Sequence, residues 1–66
     1  MADMVFESKQ LVATDRSARA ANRIATAVAS DDPWYVYVEL GQAMVELETA
    51  LTAVVDLLSD LYREIS

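Results

Sequence analysis

Three carboxylates, Asp56, Asp60 and Glu64, recur at every fourth residue near the C-terminus, a row that could in principle bind a divalent cation. Helical carboxylate metal centres normally add Glu-x-x-His motifs, and this chain contains no histidine. The row is therefore read as a solvated acidic face, with partner recognition as its remaining use. Like charges four residues apart close to a helix C-terminus are mildly unfavourable, so recognition would give them a reason. Arg16, Arg19 and Arg23 could hold an acidic peptide or a phosphate; pairing with the acidic second half of the chain is the simpler expectation. Trp34, Tyr35 and Tyr37 cluster behind the chain's one proline. They read either as a binding hot spot, since Trp and Tyr are enriched in such centres, or as a cap on the end of a core. The cap is preferred, with Tyr35 the exposed member.

Other chemistry lacks its parts. With neither cysteine nor histidine, no nucleophile–base pair can be assembled. A single glycine rules out a glycine-rich phosphate loop. The expectation is a non-enzymatic protein with no catalytic residue, no cofactor and no metal. A net charge of -6 argues against nucleic-acid binding, which is built on clustered Lys and Arg. The most apolar stretch, Trp34 to Leu61, is broken by Glu39, Glu46, Glu48, Asp56 and Asp60, so no membrane span is expected. The start MADMVFESKQ lacks a basic region followed by an apolar run, which predicts no secretory signal and a cytoplasmic setting.

Two elements must position these groups. Only Ser30-Asp31-Asp32-Pro33 is a strong break: an aspartate can cap the following helix, and proline suits a first turn because its missing N–H has no partner there. The reading is all-α, a single domain over 1–66: helix 1 about 7–29 with Ser8 or Asp3 as its cap, a loop at 30–33, and helix 2 about 34–65. A short strand at 34–38 is the alternative for the aromatic and β-branched run. Helix 1 centres its apolar face on Phe6, Ala13, Ala20, Ile24 and Ala27, a face of small side chains that calls for a partner rich in large ones. Helix 2 offers Leu40, Met44, Leu47, Leu51, Val54, Leu58, Leu61 and Ile65, spaced alternately by four and three. That spacing is the repeat of a coiled-coil seam.

A short connection around residue 32 predicts an antiparallel hairpin, and the opposite charge of the two helices agrees with it, placing Arg23 near Glu39, Arg19 near Glu46, Arg16 near Glu48 and Lys9 near Asp56. Helix 1 should span roughly 33 Å and helix 2 roughly 48 Å, so two or three turns of helix 2 should overhang. Helix 1 is expected to use up Leu40 to Leu51. Self-association is then assigned to Val54, Leu57, Leu58, Leu61, Tyr62 and Ile65, giving a four-helix dimer. A chain of 66 residues buries only about 60% of its unfolded surface, so 55% hydrophobic content implies a surface meant for another chain. The functional expectation is a homodimeric protein–protein interaction module, an adaptor or regulator, whose partners are itself and another protein. Trp34, Tyr35, Tyr37, Asp56, Asp60 and Glu64 are the candidate contacts to that other protein. The alternatives are an acidic inhibitor that mimics nucleic acid and a structural subunit of a larger assembly.

Overall fold

The computed structural model describes residues 4–66, with side chains from residue 6 onward. Two helices fold into an antiparallel hairpin 50 Å long: α1, Met4–Val28, and α2, Pro33–Ile65. No strand occurs among the described residues; the aromatic run 34–38 is helical and α2 continues through Gly41 without a break.

The turn is built by side chains that supply missing backbone partners. Ala29 and Ser30 donate back to Thr26 and Ala27, tightening the end of α1. Asp32 then caps α2 from an extended conformation, φ -91 and ψ 108, its carboxylate accepting from the Trp34 N–H at 3.0 Å. Pro33 fills the first helical position, where its lack of an N–H costs nothing. At the far end the Ser66 N–H donates to the Tyr62 carbonyl. Of the two expected caps of α1, Ser8 lies inside the helix, and Asp3 lies outside the described residues.

The interface between the helices differs from the expected one. Among the described residues, every buried one is an alanine: Ala13, Ala20 and Ala27 of α1, and Ala43, Ala50 and Ala53 of α2. Ala20 is 1% exposed and Ala27 is 0% exposed. Apart from Ala53 they fall on seven-residue repeats, in line with half-buried Phe6 on α1 and half-buried Val36 and Leu57 on α2. No large side chain among the described residues is fully buried. The small α1 face therefore does not seek the leucines of α2. It packs on the equally small face of α2, because axis separation is set by the side chains at the contact and alanine on alanine allows close approach. Close approach also brings the flanking charges together. Arg16 reaches Glu46 at 3.1 Å and Arg23 reaches Glu39 at 3.3 Å. These two contacts set a register in which Ala20 lies level with Ala43, and Ala13 with Ala50.

The ion pairs correct three of the four expected contacts. Arg23 does meet Glu39, but Arg16 takes Glu46, Lys9 takes Asp60 at 2.7 Å, and Arg19 turns to Asp15 in its own helix. The reason is periodicity. Lys9, Arg16 and Arg23 are spaced by seven and share one edge with the alanine seam, facing Glu39, Glu46 and Asp60 on the matching edge of α2. Arg19 is out of that phase.

The overhang is also shorter than expected. Because α1 begins at Met4 and Lys9 reaches Asp60, Leu57 and Leu61 are half-buried. Among the described residues, no helix is long and apolar enough to cross a membrane.

Candidate functional site

Rotating the alanine seam out of view by about a quarter turn exposes the dominant surface feature of α2. Successive helical residues turn by about 100°, so positions one after the alanines (Met44, Leu51) and four after them (Leu47, Val54) form a second stripe. It runs Tyr37, Leu40, Met44, Leu47, Leu51, Val54, Leu58, Leu61 and Ile65. All are exposed except Leu61, which is half-buried; Leu51 is 64% exposed and Leu58 61%. None carries a charge. At 1.5 Å per residue the stripe covers about 42 Å, most of the molecule's length.

The expected seam is thus real, but α1 does not consume its first half. Leu40, Met44, Leu47 and Leu51 remain exposed beside Val54, Leu58 and Ile65. Confining the self-associating surface to Val54–Ile65 rested on α1 seeking large side chains. The alanine pairing removes that premise, and the unpartnered face extends from Tyr37 to Ile65. Ile24 and Val28 of α1 are exposed as well. The repeat places them on the same side of the hairpin as the stripe, since the opposite edge is marked by a groove lined by Val12, Thr49, Thr52 and Asp56.

The signal for this arrangement was present in the sequence. Alanine spaced by seven in both helices, with basic residues three later in α1 and acidic residues three later in most repeats of α2, is the imprint of a close-packed pair. It is weaker to the eye than the leucine repeat, which advertises a different contact.

The remaining candidates separate. Trp34 and Tyr37 stack on each other at 5.6 Å between ring centres, 16° from parallel, and both are about 70% exposed. Exposed to that degree, they do not cap a core. Tyr35, the expected exposed member, is the least exposed of the three at 38%. Tyr37 instead heads the apolar stripe.

The carboxylate row does not act as a unit. Asp60 accepts from Lys9 at 2.7 Å and from Arg63 at 2.8 Å, and the Lys9 hydrogen bond is the main cause holding its carboxyl below the ordinary carboxylate value. Asp56 and Glu64 are exposed. Among the described residues no cluster of three or more His, Cys, Asp or Glu side chains is placed to hold a metal ion.

Gly41 has no role inside the hairpin. Its φ is not positive, and a Cβ added there would meet nothing within 4 Å. In a helix interior glycine costs about 1 kcal/mol relative to alanine.

Fold and surface together define the class: an antiparallel helical hairpin with an alanine-lined seam and one exposed apolar face. No family model, no curated protein and no solved structure matches the chain.

Proposed function

We propose that this hairpin is a non-enzymatic protein–protein interaction module that works as a homodimer, two copies stacking their apolar faces into a four-helix bundle. The observation that carries the reading is the charge-free stripe from Tyr37 to Ile65, set about a quarter turn from the hairpin's own seam. In a four-helix bundle each helix meets two neighbours at about that angle. Here α1 supplies one of them, and the stripe faces where the other belongs.

Surface area supports the same reading. The size law for compact monomers gives about 4,200 Å² for this mass, whereas the hairpin exposes 4962 Å². The excess, roughly 800 Å², matches one partner's share of a standard interface. An adaptor or regulator of this kind would keep the exposed Trp34–Tyr37 stack, at the head of the stripe, for a further protein. A cytoplasmic setting belongs to the same proposal.

Sedimentation equilibrium tests it. Wild type should sediment as twice its 7.3 kDa mass at micromolar concentration, while Leu51→Asp and Leu58→Asp should sediment as helical monomers. A wild-type monomer at tens of micromolar would overturn the homodimer.

A further inference from the structure

The unexplained glycine and the order of residues along the stripe bear on how two copies meet, given the homodimer reading above. We propose that the second copy docks α2 on α2 in antiparallel sense, with the two-fold axis at Leu51 and the Tyr62 ring of each copy laid over Gly41 of the other.

The stripe is nearly symmetric about Leu51. Met44 and Leu58 lie seven residues to either side, and Tyr37 and Ile65 fourteen. Reversing one copy therefore matches a large apolar side chain with another at every layer, with no void and no charge between them.

Gly41 and Tyr62 share one flank of this stripe, ten residues before Leu51 and eleven after it. A two-fold axis at Leu51 therefore brings Tyr62 of each copy to within one residue, about 1.5 Å along the axis, of the level of Gly41 of the other. Tyr62 is 68% exposed, and Gly41 offers bare backbone with open space above it. The glycine that weakens an isolated helix becomes the position where a ring from the second copy can lie close to the backbone. On the same flank the charged Glu48 comes within one residue of the level of Val55 of the second copy, so no carboxylate faces its own image.

A parallel dimer satisfies none of this. It keeps Gly41 of one copy 21 residues, about 32 Å along α2, from Tyr62 of the other, leaving the gap above the glycine unfilled. It also aligns the two α2 dipoles and puts the acidic C-terminal turns of both copies at one end of the body, on a chain that already carries -6. The antiparallel dimer places those acidic ends at opposite ends of the 50 Å body, far beyond the screening length of roughly 8 Å at physiological salt.

The chain has no cysteine, so single cysteines report the geometry without background. Under mild oxidation Leu51→Cys should cross-link to itself. Leu40→Cys and Leu61→Cys should each stay uncross-linked alone and cross-link when mixed, because a disulfide needs Cα atoms within about 7 Å. Gly41→Leu, which the open space lets the helix accept, should weaken dimerisation at least tenfold by sedimentation.

A dimer in which Leu40→Cys and Leu61→Cys each cross-link to themselves would overturn the antiparallel arrangement while leaving the homodimer standing. A Gly41→Leu dimer as tight as wild type would overturn the Tyr62 contact. A wild-type monomer would remove both the arrangement and the reading beneath it.

Discussion

Replacing Ala20 with leucine tests the central structural claim, that the hairpin is held by close alanine contact and not by its leucines. Ala20 is 1% exposed, level with Ala43, and flanked on the seam by the Arg16–Glu46 and Arg23–Glu39 pairs. Three added carbons have no space there, and overpacking of this kind costs ~1–3 kcal/mol. Moving the axes apart also stretches the two flanking pairs, at 3.1 and 3.3 Å, past contact distance. Each is partly exposed and contributes up to about 1 kcal/mol. Against this, leucine has nearly alanine's helix propensity, so no large backbone penalty confuses the result. Ala20→Leu should therefore lower stability by ~2–4 kcal/mol, a large fraction of the stability of any small domain. Urea unfolding followed by circular dichroism measures it, with Ala18→Leu, at an exposed position of α1, as the control. If Ala20→Leu matched the control or raised the midpoint, α1 would be packing on the leucine stripe, and the register that sets Ala20 level with Ala43 would be wrong.

Two further outcomes follow from the turn and the open end. Asp32→Ala should cost about 1 kcal/mol through loss of the cap on the Trp34 N–H, whereas Asp31→Ala, which removes no such bond, should stay within about 0.5 kcal/mol of wild type by the same unfolding assay. Asp60 has its pKa lowered in the fold, chiefly by Lys9, so its contribution is present above the unfolded carboxylate pKa and lost as pH falls through the lower folded value. The stability gap between wild type and Asp60→Asn should be full at neutral pH and close as the solution is acidified through the ordinary carboxylate range, and a gap independent of pH would refute the pairing.

The two helices, the break between them and their antiparallel sense were legible in the sequence because each rests on local chemistry. Asp32-Pro33 caps and starts a helix whatever surrounds it, and so short a break folds the second helix back antiparallel on the first. The leucine repeat was legible too, as a stripe on one side of α2. Which stripe faces α1 was not. That choice depends on how near two axes can come, a property of both helices together, and alanine at Ala13, Ala20, Ala43 and Ala50 decides it by offering a fit that no leucine layer can match while letting Arg16 and Arg23 reach their carboxylates. Burial strength read along one strand of sequence favours the large residues; close packing across the hairpin favours the small ones and leaves the large ones outside. The sequence determined that α2 has an apolar face, and the tertiary structure decided that all of it from Tyr37 to Ile65, half-buried Leu61 excepted, stays exposed.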